Sequence, residues 1–232
     1  MKIREILGQF RSLFVNKPFS NVQSDNDEYW KHRNFVPTLN SFQKIRAEFI
    51  SKNIKDDASV LDIGCGPGQI LLDLVKKRNI NATGLDNSPL SLEILEGEGI
   101  KGLLFEIDEE SLSKLKEYDF ILLLEVLEHL PNPEVILLSC LKKADSVFIS
   151  VPNTGYFIHR LRLLLGRFPV QWKVHPGEHL RFWTIRDMLF WLDNLDIIVE
   201  DSLFYEGIPL LNKVFPKIFS MGQIYKLKIN NA

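Results

Sequence analysis

The sequence predicts an α/β protein: a doubly wound, mostly parallel sheet of seven strands with helices on both faces. Three observations predict it. Apolar runs that suit buried strands alternate with segments of helical period from Val60 onward, the pattern of parallel strands joined by covering helices. Asp62, Gly64, Gly66 and Gly68 fall where the first run passes into the first of those helices. Ser88-Pro89 and Asn132-Pro133 each pair a capping side chain with proline at a first helical position, which marks where later helices begin.

In chain order, strands are expected over 59–63, 82–85, 102–105, 120–124 and 147–151. A helix over 42–51 precedes them, and the helix after the first strand closes on Lys76, Lys77 and Arg78, where cations suit the dipole. Beyond the fifth strand, Gly155, Gly166, Pro169, Pro176 and Gly177 break the rhythm. Residues 153–183 therefore read as an insertion over the sheet's edge. Thr184, with Asp187 three residues on, resembles a capping box and opens a helix over 185–195. Strands near 197–199 and over 223–229 complete the sheet.

Two units follow: an N-terminal helical lid or docking segment over 1–58, and a ligand-binding domain over 59–232 with an inserted cap at 153–183. In the first, Ile3, Ile6, Leu7, Phe10, Leu13 and Phe14 recur at helical spacing among basic residues, and Tyr29, Trp30 and Arg33 could close over a ligand. In the cap, Arg160, Arg162, Arg167, Lys173 and Arg181 face one acid, Glu178. Its apolar residues suit packing on the body, an anionic or lipid-linked acceptor, or peripheral contact with a membrane.

At 232 residues, 45% hydrophobic and 25% charged, the chain reads as one globular domain with a modest cap. A net charge of −2 gives no global basis for nucleic-acid binding. The charged first residues lack the apolar core of a secretory signal, and the apolar run 120–124 is too short to cross a bilayer. A cytoplasmic protein with Cys65 and Cys140 as free thiols is expected.

Glycine in the first turn lets backbone amides approach a ligand with no Cβ in the way. A dinucleotide fingerprint needs a third glycine where Gln69 stands, which disfavours a dehydrogenase. The loop also lacks the Lys-Ser or Lys-Thr pair of a triphosphate-binding loop. Asp62, inside the strand, would repel a pyrophosphate and suits a cationic amino-acid tail. Asp86 ends the second strand, where a carboxylate accepts from both hydroxyls of a ribose.

The stretches LDIGCGPG, GLDNS, YDFILLLEVLEHL and SVPN, in this order and spacing, resemble the motif series of the class I S-adenosylmethionine-dependent methyltransferases. The nearest branch holds ubiquinone-biosynthesis O-methyltransferases and methyltransferase-like methionine-biosynthesis proteins. The resemblance implies a Rossmann-like sheet whose last strand is antiparallel and a cofactor that leaves as S-adenosylhomocysteine. Asp62, Gly64 and Gly66 would flank the methionine moiety and Asp86 would bind the ribose, with Cys65, Gly68 and Asn87 also in the cofactor site. Asp108 would stand near the adenine amino group, although FEID departs from the family's Gly-Asp ending. Glu125 would lie where cofactor and acceptor meet.

Methyl transfer to a hydroxyl benefits from a general base. His129, just past the fourth strand, is the first candidate, and His179 in the cap is the second. No metal site is expected, because His175 and His179 have no helix to align them. The expected activity is methylation, at oxygen, of a small-molecule, glycan or lipid-linked acceptor. A cofactor-binding regulatory partner without transferase activity is the alternative.

Overall fold

A computed structural model describes residues 38–171 and 175–230, together with Gly8, Phe10, Arg11, Leu13 and Phe14. Tyr29, Trp30, Arg33 and, of the N-terminal apolar stripe, Ile3, Ile6 and Leu7 lie outside the described residues. Seven strands form one sheet in the order β3-β2-β1-β4-β5-β7-β6. They are β1 Ser59–Ile63, β2 Asn81–Asp86, β3 Lys101–Leu104, β4 Tyr118–Leu124, β5 Ala144–Pro152, β6 Ile197–Tyr205 and β7 Gly222–Ile229. β1 to β5 pair in parallel, and β7 runs antiparallel to both β5 and β6. The expected doubly wound sheet with an antiparallel last strand is therefore present.

The covering helices are α1 Ser41–Asn53, α2 Gln69–Lys77, α3 Pro89–Gly97, α4 Glu109–Ser113, α5 Pro133–Leu141, α6 Phe157–Leu164 and α7 Ile185–Asn194. Alternation along β4 shows why both faces need cover: Ile121 and Leu123 join the core under α5 and α7, while Phe120 and Leu122 join the core under α1, α2 and α3. β1 sits at the centre with Val60, Leu61 and Ile63 fully buried, so its carboxyl end is the best-fixed point of the sheet. None of the described helices is long and apolar enough to cross a membrane.

Local signals mostly act as expected. Ser88 Oγ accepts from Ser91 N at 3.2 Å, and Thr184 Oγ1 accepts from Asp187 N at 3.2 Å while Asp187 reaches back to Thr184. Asn132 is the exception: its side chain makes no cap bond, and Pro133 alone starts α5. β6 is also longer than expected, carrying a bulge between Val199 and Asp201 that lets an edge strand twist and continue.

The insertion sits differently from the expectation of an edge cover. The amides of Leu180 and Arg181 both donate to Glu128 O, at 2.8 and 3.1 Å, and Thr154 N donates to Trp183 O at 2.9 Å. It therefore folds across the carboxyl ends of β4 and β5, which lie inside the sheet. The β6–β7 connection, unread in the sequence, holds two one-turn helices, α8 Leu211–Val214 and α9 Pro216–Phe219. It is pinched at Gly207, where φ is +98° and an added Cβ would lie 1.9 Å from Phe219 O.

That pinch is testable against a turn that lacks it. Gly166 has φ +71° but open space around a would-be Cβ, so Gly166→Ala should cost about 1 kcal/mol of left-handed strain. Gly207→Ala adds a backbone collision and should cost at least about twice as much. Urea unfolding midpoints of the two variants will separate the terms.

Candidate active site

β1 delivers Asp62, buried inside the sheet, and then turns through Gly64, Gly66 and Gly68 at φ of +70°, +52° and +74°. Those values favour glycine. Close approach adds a second reason: a Cβ on Gly64 would meet Val126 Cγ2 at 2.7 Å, and one on Gly68 would meet Leu95 Cδ1 at 2.1 Å.

The loop's amides are committed within the protein, contrary to the expectation that they face a ligand. Gly64 N and Cys65 N donate to Leu85 O, at 2.8 and 3.1 Å, and Gly68 N to Cys65 O at 3.1 Å. Gly66 N donates to Asp86 Oδ2 at 2.8 Å. Such a loop presents no set of amide donors to a diphosphate, which supports the exclusion drawn from Gln69. The Cys65 side chain packs inward, where an added Gly84 Cβ would meet its sulfur at 2.7 Å, and burial pushes its thiol well above the ordinary range. A reactive thiol is not what Cys65 offers.

Asp86 is buried, and its carboxylate accepts from the amides of Gly66 and Ser88 at 2.8 and 2.9 Å. Those bonds hold the carboxylate against the glycine loop at the end of β2. Asn87 follows, its amide donating to Glu106 Oε2 at 3.0 Å. Asp108 caps α4, accepting from Ser111 N at 2.7 Å, and this bond holds its exposed carboxyl below the usual range. Its neighbour Ile107 is the residue beside the loop, 3.7 Å from where a Gly64 Cβ would stand.

Glu125 ends β4 in the left-handed region, φ +59°. A non-glycine residue held there marks strain that the surroundings enforce. Glu125 Oε1 lies 2.8 Å from Arg46 Nη1 and accepts from Ser150 Oγ at 2.9 Å, and Arg46 Nη1 donates to Ser150 Oγ at 3.2 Å. Arg46, on α1, escaped the reading of the sequence. Burial alone would lower its pKa, but Tyr205, Glu125 and Glu128 hold it above the ordinary value.

Two acids in this cluster carry no full compensation. Burial, and then the nearby Asp86, pushes the Asp62 carboxyl up to about 8 despite Arg46. Burial, and then Glu125, pushes Glu128 well above the usual range, and neither of its carboxylate oxygens has a hydrogen-bond partner. A group bearing a cationic amino end and a ribose fits this lining, because it supplies the charge that Asp62 lacks and the hydroxyls that Asp86 can accept from.

The two histidines meet although 50 positions apart in sequence. Their rings pack edge to face with centroids 4.8 Å apart. His129 Nδ1 lies 2.5 Å from Glu178 O, which can only accept, so this contact places a proton on Nδ1. Burial, and then His129, lowers His179 to about 4, and its own Nδ1 is buried without a partner. Ligand atoms of Glu128, His129 and His179 lie within 4.8 Å of one another. His175 is not among them, its Nδ1 accepting from Gly177 N at 3.0 Å.

The family model described as a methyltransferase domain matches residues 29–198. A ubiquinone biosynthesis O-methyltransferase of Dechloromonas aromatica (strain RCB) is 31% identical over 207 residues, covering 84% of this chain and 86% of its own length. One of the same name from Rickettsia bellii (strain OSU 85-389) is 25% identical over 202 residues, covering 81% and 84%. The fold matches a SAM-dependent methyltransferase from Archaeoglobus fulgidus at TM-score 0.64 and 19% identity, over 87% of this chain and 98% of that one. It also matches the magnesium protoporphyrin IX methyltransferase of Synechocystis PCC 6803, solved with bound SAH, at TM-score 0.60 and 14% identity, over 97% and 95%. Fold, glycine loop and relatives agree, and the chain belongs to the class I S-adenosylmethionine-dependent methyltransferases.

Proposed function

We propose that the chain methylates a hydroxyl of a small-molecule acceptor with His129 as general base. The observation that carries this is the His129 imidazole pinned at Nδ1 by Glu178 O at 2.5 Å, beside the carboxyl end of β4. When bound, S-adenosylmethionine supplies a methyl group on a sulfonium, whose in-line displacement asks for alignment more than for covalent help. Asp62, Gly64, Gly66, Asp86, Asn87 and Glu125 hold the cofactor, joined by Arg46, whose guanidinium suits the carboxylate of the amino-acid tail. His129 Nε2 takes the acceptor proton as the oxygen turns nucleophile. His179 stays neutral and keeps water and a competing charge from the imidazole.

Both named relatives are O-methyltransferases, which favours oxygen as the acceptor atom. The cap over 153–183 selects the acceptor, whether small molecule, glycan or lipid-linked. A regulatory partner would need the same cofactor pocket but no base, so turnover distinguishes the two readings.

A second reading rests on the buried, unpartnered Glu128 carboxylate: with His129 and His179 it could hold a divalent cation that acidifies the acceptor hydroxyl.

Three outcomes are expected. Because Asp62 is protonated below about 8 in the free protein, the anion that faces an ammonium forms as pH rises. S-adenosylhomocysteine should therefore bind up to ~50-fold more tightly at pH 8 than at pH 6, and Asp62→Asn should flatten that profile in calorimetric titrations. His129→Ala should retain cofactor affinity and lose turnover by roughly a hundredfold or more on any acceptor that supports activity; full turnover retires it as base. Manganese or zinc should raise the melting temperature of the wild type but not of Glu128→Gln if the second reading is right, and chelator-treated protein of full activity would exclude it.

A further inference from the structure

We propose that Tyr205 is a positioning residue: its phenol oxygen takes the Arg46 Nε–H as the guanidinium turns to the cofactor's carboxylate, and holds it there. Packing fixes the ring. Tyr205 ends β6, 3% exposed, opposite Gly222 of β7. A Cβ on Gly222 would lie 2.6 Å from Tyr205 Cε2 and 2.9 Å from its hydroxyl oxygen, so the missing Cβ is what admits the ring. Phe42 on α1 closes over it edge to face, with centroids 5.9 Å apart. Arg46 stands one turn beyond Phe42 on the same helix.

Phenylalanine would satisfy all of that packing, so the hydroxyl needs a reason of its own. Arg46 Nε and the Tyr205 oxygen are each buried with no hydrogen-bond partner among the described residues. The first can only donate and the second can accept. The two side chains already interact: of the groups that hold the Arg46 charge above its ordinary value against burial, Tyr205 acts more strongly than Glu125 or Glu128. A small rotation of the guanidinium joins the two unmade atoms, and a buried charged donor favours it.

A second hold is needed on geometric grounds. Arg46 Nη1 carries the contacts to Glu125 Oε1 at 2.8 Å and to Ser150 Oγ at 3.2 Å. One fixed atom lets the guanidinium plane swing about it. A bond at Nε fixes the plane of the rigid fork and leaves Nη2 for a carboxylate. This role rests on Arg46 meeting the cofactor's amino-acid tail, as proposed above, and is independent of which group serves as base.

Calorimetric titration with S-adenosylhomocysteine between about pH 6 and 9, across the range where Asp62 ionises, tests the proposal on the full chain. Tyr205→Phe keeps the ring and its packing and should weaken binding about tenfold. Arg46 lowers the Asp62 pKa against burial and Asp86, while the neighbouring Cys65 thiol stays protonated. A loosened guanidinium lowers it less, so Asp62 ionises later and the rise in affinity should move up by about half a pH unit or more. Lysine offers no donor at the Nε position, so Tyr205→Phe should cost little further in an Arg46→Lys background. Tyr225→Phe removes another buried hydroxyl, one that donates to Gln223 Oε1 at 2.6 Å, and should bind as the wild type does. Wild-type affinity and pH dependence in Tyr205→Phe, an equal loss in Tyr225→Phe, or losses that add in the Arg46→Lys background overturn the proposal. A wild-type profile flat with pH counts against the charge assigned to Asp62 instead, and the affinities alone then decide for Tyr205.

Discussion

The buried guanidinium of Arg46 is the interaction on which the ligand end of this molecule depends. One side chain on α1 reaches Glu125 at the end of β4 and Ser150 on β5, and stands against Tyr205 at the end of β6. A buried ion pair adds little net stability once desolvation is counted. Its use here is positional: it fixes a helix outside the βα alternation onto the strand ends and holds Glu125 in a backbone conformation that glycine would otherwise take.

Around that cation the carboxylates are in excess. Asp62, Glu125 and Glu128 share one guanidinium, Asp86 adds its charge beside Asp62, and Asp62 and Glu128 resist ionisation. A pocket of this kind is matched to a positive ligand. In the proposed reaction the ligand's sulfonium charge disappears with the methyl group, so the attraction that favours the substrate form weakens for the product. Binding and release are then set by the same lining.

Much of this was legible in the sequence, because buried parallel strands must be apolar on both faces and glycine turns must be glycine. The first five strands lie where apolar runs placed them, β1 residue for residue, and the last two lie where the family resemblance put them, although β6 runs on to Tyr205. The glycine loop was identified correctly, but the partners of its amides were not, since those depend on Leu85 and Asp86 from another strand. The cap that Asp108 makes had no separate signal, because a carboxylate after a strand suits a helix cap and a ligand alike. Arg46 had a signal that went unused: it shares the helical stripe of Phe42, Phe49 and Ile50, and a charge on an apolar stripe needs a partner. The meeting of His129 with His179 had none, because no local period links residues separated by a glycine- and proline-rich insertion.

Asn153 ties the insertion to the β6–β7 connection. Its side chain is fully buried, accepting from Gly155 N at 2.9 Å and donating to Ser220 O at 2.7 Å, while its amide donates to Met221 O at 2.8 Å. The insertion and the β6–β7 connection are therefore one mechanical part, with Asn153 as its buried pin. Grafting the insertion of another family member onto this scaffold would leave the pin gripping a foreign turn, so the two segments have to be exchanged as a matched cassette.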